Sequence, residues 1–119
     1  MSENMGLLDL SVIGKIVTVI IDRKLGSYHP EHKEIYYPVN YGYIPDVMAL
    51  DGEEQDAYIL GINIPLEIFT GKIIAVIHRK NDIEDKWVVT PENMTFIKED
   101  IIRQTYFQEQ YFDSIIYKS

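Results

Sequence analysis

The sequence predicts a mainly β fold, a small barrel or sandwich, with one helix near its C-terminus. Short runs rich in β-branched residues recur along the chain, and segments rich in Gly, Pro, Ser and Asp separate them. The apolar spacing changes to a helical period only after residue 97. The chain has 119 residues, which suits one domain, since domains most often have about 100 to 150 residues. We therefore expect residues 1–119 to form a single domain.

The β-branched runs predict four strands, at 14–22, 57–62, 71–78 and 86–90. A fifth segment, from Tyr37 to Tyr43, alternates Tyr and Val at every second position, which is the period of a strand. Pro38 and Gly42 interrupt that segment, and neither suits the middle of a central strand. It is therefore predicted to be a bent strand or an edge strand.

One helix is predicted from Ile97 to about Phe112, where apolar residues recur at helical spacing between charged and amide residues. Thr95 lies just upstream and is expected to cap the helix. Glu99 and Asp100 suit the positive end of the helix dipole. The apolar positions predict that this C-terminal helix packs on the barrel.

Composition excludes several classes of protein. The chain has no cysteine, so disulfides, thiolate zinc sites and cysteine nucleophiles are excluded. It shows neither a secretory signal pattern nor a run of about 18 apolar residues, so we expect a cytoplasmic protein without a membrane partner. A net charge of −8 argues against a nucleic-acid partner, because binding to a phosphate backbone depends on Lys and Arg.

Three acids, Asp51, Glu53 and Asp56, lie close together around Gly52. Carboxylate oxygens bind hard cations such as Mg²⁺, and substrate phosphate often completes the coordination. Asp51 and Glu53 project to one side of an extended backbone, whereas Asp56 has the opposite parity and joins them only if the chain bends. The alternative is a solvated acidic hairpin, since charge runs usually lie on the surface.

A tyrosine-rich motif, YPVNYGYI at 37–44, precedes the acidic run DGEEQD at 51–56. In this order and spacing the two motifs resemble the soluble, Mg²⁺-dependent inorganic pyrophosphatases. The resemblance is clear over 36–60 and extends less strongly over 14–35 and 71–112. It implies a five-stranded barrel of the oligonucleotide/oligosaccharide-binding (OB) type, a homo-oligomer, and Mg²⁺ as cofactor with Mn²⁺ as a substitute.

The resemblance also implies roles for individual residues. The expected metal ligands are Asp51, Glu53, Asp56, Asp82 and Glu84, and Glu53 occupies the position of the general base. The expected phosphate ligands are Arg23, Tyr37, Tyr41, Lys86 and Tyr111. For the tyrosines of the first motif, core packing is an equal alternative. For the 82–85 segment, the equal alternative is a charged turn without a ligand role. His29 and His32 are expected to be loop residues without a ligand role.

The chain departs from the family pattern at three positions. Glu53 replaces the usual aspartate, Gln55 stands where an apolar residue is usual, and Phe112 stands where a lysine normally follows Tyr111. Residues 23–35 leave room for only one compact loop, where family members carry an extra hairpin. Asp22 and Arg23 are the nearest candidates for the acidic and basic roles of that hairpin.

Two functions follow as hypotheses. The first is Mg²⁺-dependent hydrolysis of inorganic pyrophosphate to two phosphates by a metal-activated water, with a small-molecule phosphate as substrate. The alternative is a pyrophosphatase-like module that binds phosphate and metal without catalysis or with altered specificity. Glu53, Phe112 and the short N-terminal half motivate the alternative.

Overall fold

The computed structural model describes residues 8–82 and 84–118. They form six strands and one helix. The elements are β1 (Ile16–Arg23), β2 (Asn40–Met48), β3 (Glu54–Ile59), β4 (Ile68–Arg79), β5 (Asp85–Thr90), α1 (Lys98–Glu109) and β6 (Ser114–Lys118). Among the described residues, no helix is long and apolar enough to span a lipid bilayer.

Five strands close into a barrel in the order β1-β2-β3-β5-β4, because β1 pairs with β4 as well as with β2. The sixth strand, β6, pairs with β4 outside this ring. The neighbouring strands are antiparallel except β3 and β5, which run parallel. The predicted fold class, a mainly β five-stranded barrel with a C-terminal helix, is confirmed.

The predicted strands all overlap observed ones, and the interrupted tyrosine segment leads into β2, which begins at Asn40. Its pairing shifts register twice, between Ile21 and Arg23 of β1 and between Ile44 and Met48 of β2, so the predicted bend is confirmed. Gly42 lies where β1 approaches most closely: an added Cβ would stand 1.9 Å from the Ile20 carbonyl oxygen. Only glycine fits there.

The sequence did not predict β6. This five-residue strand pairs along the edge of β4, from Ala75 to Arg79. A run this short is not stable as an isolated strand and needs hydrogen bonds from a partner. Its existence therefore depends on the tertiary fold rather than on its own pattern.

The helix begins differently from the prediction. Its N-cap is Ile97, which makes no side-chain cap bond, so the expected cap at Thr95 is wrong. Instead the Ile97 carbonyl accepts hydrogen bonds from the backbone N–H groups of Asp100 and Ile101. Glu99 and Asp100 lie in the first turn as expected. The start of this helix is therefore stabilised by backbone hydrogen bonds and by the two acidic side chains at the positive end of the helix dipole.

The face that α1 buries is partly polar. Ile101 is buried, but Ile102 and Tyr106 are exposed, contrary to the apolar packing face expected. The other buried helix residues are Thr105, Gln108 and Glu109. Since buried polar groups need partners, hydrogen bonds contribute strongly to the contact of this helix with the barrel.

The apolar core has two parts. One cluster draws on all five barrel strands and fills the barrel; it contains Val19, Ile21, Ile44, Ala57, Ile59, Ile73 and Val89. The second lies between the barrel, α1 and β6, and it includes Tyr37, Tyr41, Tyr58, Ile77, Val88, Ile101 and Ile116. Consecutive β3 residues contribute to opposite clusters, as the alternation of a strand requires.

A buried polar network crosses the second cluster. Arg79 forms a bidentate ion pair with Glu109, with nitrogen–oxygen distances of 3.1 and 2.7 Å. The Tyr58 hydroxyl donates to Glu109 at 2.6 Å and accepts from the Gln108 amide at 2.8 Å. The Tyr37 hydroxyl donates to the Gln108 carbonyl at 2.7 Å. In the described part of the chain, no buried side-chain polar atom lacks a partner.

Glu109→Gln is expected to destabilise the protein by about 3 kcal/mol, because the buried Arg79 guanidinium loses its bidentate charge partner and keeps only the longer contacts with Glu84 at 3.4 Å and Asp82 at 3.9 Å among the described residues. Chemical denaturation measures this loss. Arg103→Gln is the control: it removes the exposed 2.8 Å pair with Asp100 and should cost no more than about 0.5 kcal/mol. Equal losses would contradict a dominant role for the buried pair.

The same variant predicts a pH dependence. Burial alone would raise the pKa of Glu109, but the Arg79 bonds outweigh it and lower that pKa below its ordinary 4.5. A carboxyl with a lowered folded-state pKa contributes stability above its unfolded value and loses it as the pH falls through the folded value. The stability difference between wild type and Glu109→Gln should therefore be constant above about pH 6 and shrink below pH 4.5. A difference that grows in acid would refute this assignment.

Candidate active site

A cavity of about 580 Å³ opens where the ends of β1, β4 and β5 meet α1. Its volume is typical of small-molecule sites, which span about 300 to 1,000 Å³. The lining residues are Asp22, Arg23, His29, His32, Glu34, Ile35, Tyr41, Asp56, Arg79, Glu84, Lys86, Gln108, Tyr111 and Phe112. Acidic and basic side chains are mixed in this set, which suits a highly charged ligand with its counterions.

The parallel pairing of β3 and β5 brings Asp56 and Lys86 together. Ala57 pairs with Trp87, so the residues just before them lie at the same height on the same face. The Lys86 ammonium donates to Asp56 Oδ2 at 2.8 Å, and the Tyr41 hydroxyl donates to the same oxygen at 2.8 Å. Two hydrogen bonds thus join these three side chains in the cavity wall.

Lys86 is a buried cation between two carboxylates. Besides Asp56, its ammonium contacts Glu84 Oε1 at 2.5 Å. Burial alone would lower the pKa of Lys86, but the electrostatic interactions with Tyr41 and Asp56 more than offset it and raise that pKa. The ammonium therefore stays charged at neutral pH and provides a positive charge beside the two carboxylates.

Asp51 reaches this group through Glu84. Its carboxyl accepts a hydrogen bond from the Glu53 backbone N–H at 2.9 Å, which is the main cause of its lowered pKa, and the nearby Glu84 side chain lowers that pKa further. Neighbouring carboxylates repel each other, and a cation between them would relieve that repulsion. Asp51 and Glu84 are therefore a favourable place for a cation.

No three acidic or histidine side chains in residues 8–82 and 84–118 form a group that could hold a metal ion as they stand. The donor chemistry nevertheless fits a hard divalent cation, because the carboxylates of Asp51, Asp56 and Glu84 belong to one hydrogen-bonded set around a positive charge. The residues present therefore suit Mg²⁺ in kind.

Arg23 supplies a second cation and is positioned by Tyr37. Its guanidinium donates to the Tyr37 hydroxyl at 2.6 Å, and that hydroxyl donates in turn to Gln108 at 2.7 Å. The guanidinium carbon lies 5.6 Å from the Tyr37 ring centre and 5.8 Å from that of Tyr41. Burial raises the pKa of both tyrosines, so their phenols remain protonated donors.

Comparison with known proteins gives a family for this arrangement. The sequence profile of the family described as Inorganic pyrophosphatase matches residues 15–114. The chain belongs to the inorganic pyrophosphatase family.

Individual pyrophosphatases agree with this assignment. An inorganic pyrophosphatase of Caulobacter vibrioides is 31% identical over 71 residues, which cover 57% of this chain and 38% of the length of that relative. The fold is similar to crystal structures of inorganic pyrophosphatases from Ehrlichia chaffeensis, with a TM-score of 0.68 at 18% identity, and Neisseria gonorrhoeae, with 0.63 at 20%. These cover 89% and 92% of this chain, and 87% and 81% of their own.

Six residues expected in a pyrophosphatase site line the cavity: Arg23, Tyr41, Asp56, Glu84, Lys86 and Tyr111. Asp51 adjoins it through Glu84. Tyr37 is fully buried behind Arg23 rather than lining the wall, and its hydroxyl bonds Arg23 and Gln108. Here the alternative of core packing, weighed equally from the sequence, describes its position.

Glu53 and Asp82 lie outside the cavity lining. The turn at 49–53 closes through a hydrogen bond from the Ala49 N–H to the Glu53 carbonyl at 2.7 Å, and it leaves the Glu53 side chain exposed. The expected convergence of Glu53 with Asp56 is therefore not observed. The Asp82 carboxylate lies 3.9 Å from Arg79, which does line the cavity.

Four lining residues were not predicted for the cavity from the sequence, and the last two of them have a signal there: Glu34, Ile35, Arg79 and Gln108. Arg79 shares the strand parity of buried Ile77, which indicates a buried guanidinium that needs a partner. Gln108 lies seven residues after buried Ile101, on the same helix face. Both signals were present in the sequence, but neither motif points to them.

Tyr41→Phe is expected to lower stability by about 1 to 3 kcal/mol, because Asp56 loses a hydrogen bond donated to a charged group. Tyr43→Phe, two residues along β2, is the matched control and should change stability by less than about 0.5 kcal/mol. Both free energies come from chemical denaturation. If the two variants lose the same stability, the Tyr41 bond does not support the site.

Proposed function

We propose that this chain hydrolyses inorganic pyrophosphate to two phosphates in the presence of Mg²⁺. The observation that carries the proposal is that one cavity contains both Arg23 and the buried Lys86. Asp56 and Glu84 flank the Lys86 ammonium there. Cationic donors recognise the phosphate oxygens, and carboxylates recognise the cations that accompany them. Family membership supports the same reaction.

The proposed metal ligands are Asp51, Asp56 and Glu84, with Mn²⁺ as a substitute for Mg²⁺. When bound, the metal supplies a water of lowered pKa and neutralises phosphate charge. The protein keeps an oxygen available for it: Tyr41 and Lys86 both donate to Oδ2 of Asp56, so within the described residues Oδ1 is left for another ligand. Asp82 is also proposed as a metal ligand, as the family resemblance implies, and its carboxylate lies beside Arg79.

The phosphate-binding role is proposed for Arg23, Lys86, Tyr41 and Tyr111. Arg23 is held by Tyr37, so its guanidinium is oriented before the substrate arrives. Lys86 can turn from its carboxylates to a phosphate oxygen while it remains charged. Tyr111 lines the cavity with its ring exposed, which suits a donor at the mouth.

Glu53 is the proposed general base, as the family position implies. It is bonded through its backbone to the Asp51 carboxyl, so a small rotation of the 49–53 turn moves both acids together. Its exposed side chain favours the second candidate function, a module that binds phosphate and metal without turnover or acts on another phosphate compound. The two functions differ in whether phosphate is released.

We also propose that residues 1–119 act as a single domain in a cytoplasmic homo-oligomer. The exposed apolar side chains of Ile97, Ile102 and Tyr106 around α1 support association of copies. The net charge of −8 supports a small phosphate rather than nucleic acid as partner.

Asp56→Asn is expected to reduce Mg²⁺-dependent phosphate release from pyrophosphate by about 100-fold or more, because it removes the charge shared by Lys86 and the metal. Asp46→Asn is the matched control: Asp46 is exposed and has a positive φ of 66°, which asparagine accepts. A phosphate colour assay with and without a chelator measures both variants.

Two outcomes decide between the functions. Phosphate release by wild type, lost in Glu53→Gln because an amide accepts no proton, supports the enzyme with Glu53 as its base. No release from pyrophosphate, combined with Mg²⁺-dependent phosphate binding, supports the binding module. Release that survives chelation unchanged would contradict the proposed metal dependence.

A further inference from the structure

The loop between β1 and β2 folds into a small hairpin that forms one wall of the cavity. Tyr28 pairs with Tyr36, and the His29 backbone N–H donates to the Ile35 carbonyl at 2.9 Å. From this hairpin, His29, His32, Glu34 and Ile35 line the cavity. The wall carries neither an ammonium nor a guanidinium group among these lining residues, so its nitrogen donors are imidazoles.

The two nitrogens of the His29 ring have different environments. Nδ1 accepts hydrogen bonds from the backbone N–H groups of Glu31, at 3.0 Å, and His32, at 3.2 Å. A ring nitrogen that accepts carries no proton, so these bonds assign the proton of neutral His29 to Nε2. The centre of the His29 ring lies 6.5 Å from that of the Tyr37 ring, in a stacked arrangement, and 4.9 Å from that of the His32 ring. His29 therefore presents an oriented Nε2–H donor.

The charges around His29 keep it neutral. Desolvation, then the interactions with Arg23 from β1 and His32 from the hairpin, lower the pKa of His29, while Glu31 and Glu34 oppose them. Protonation at Nδ1 would also break its two backbone bonds. The donor therefore persists at and above neutral pH without adding charge to the cavity.

We propose that His29 binds a phosphate group of the substrate through its Nε2–H, which makes the β1–β2 hairpin part of the substrate site. This rests on the proposed function, since the ligand is the phosphate of the same cavity. Arg23 lies in the same cavity, and Tyr37 contacts both Arg23 and the His29 ring. A guanidinium and a neutral imidazole N–H thus act together on one anion.

The alternative role for His29 is purely structural, through Nδ1. Two substitutions separate the roles because asparagine places its amide near Nδ1 and glutamine places its amide near Nε2. His29→Asn keeps the acceptor for the loop and loses the outer donor. His29→Gln keeps an outer N–H donor and loses the loop acceptor.

For Mg²⁺-pyrophosphate hydrolysis, His29→Asn should raise KM about tenfold or more, the effect of one lost hydrogen bond to a charged group, with kcat and the melting temperature little changed. His29→Gln should keep KM within about threefold while lowering the melting temperature. His78→Asn, on a residue outside the cavity lining, is the control. The opposite pattern, with KM altered only in the Gln variant, would overturn the proposal.

The pH dependence gives a second test. Because His29 acts as a neutral donor, the ratio of KM between His29→Asn and wild type should stay constant from about pH 6.5 to 8.5. If His29 bound phosphate as a cation, its effect on KM would be lost as the pH rises through about 6.5. A ratio that falls toward one over this range would therefore overturn the assignment of a neutral donor.

Calorimetric titration with inorganic phosphate in Mg²⁺ separates this inference from the proposed function. If wild type hydrolyses pyrophosphate but binds phosphate no tighter than His29→Asn and shares its KM, the function stands and the His29 role fails. If wild type does not hydrolyse pyrophosphate yet binds phosphate about tenfold tighter than the variant, the His29 role stands and the function fails. No phosphate binding and no hydrolysis by wild type would reject both.

Discussion

The buried ion pair between Arg79 and Glu109 is the interaction on which the rest of the structure depends. It joins the last residue of β4 to the last residue of α1. Removing two charges from water costs several kcal/mol per ion, and only dense hydrogen bonding offsets that cost. Hydrogen bonds extend from this pair through Gln108 and Tyr37 to Arg23. The end of the helix and the orientation of the Arg23 guanidinium in the cavity therefore depend on one network.

The cavity balances its own charge. Asp56 and Glu84 both contact Lys86, and the ammonium compensates part of the negative charge of these closely spaced acids. The protein can thus fold around an acidic site before any cation arrives, since the repulsion between carboxylates is already reduced. A divalent ion bound at the proposed metal site would share the acids with the ammonium, so the proposal links metal binding to the position of Lys86.

Sequence reasoning reached the barrel and most of the cavity, because strand alternation and the paired motifs report backbone pattern and order. It could not place Glu53 or Tyr37, because the 49–53 turn leaves Glu53 exposed and the bond from Arg23 holds Tyr37 behind the cavity wall, and spacing alone reveals neither contact. The β6 strand and the Arg79 network escaped because their stability comes from partners distant along the chain. The His29 donor depends on two backbone bonds of the loop that spacing alone does not reveal.

The parallel pairing of β3 and β5 also sets an order of events in folding. Asp56 and Lys86 are 30 residues apart, and their strands cannot pair as a local hairpin. On the ribosome, the cavity therefore cannot form until β5 has emerged, and until then β3 presents an open edge. Such non-local pairing belongs to the slow range of folding, about milliseconds to seconds, and during that interval a nascent chain is most exposed to pairing with its neighbours.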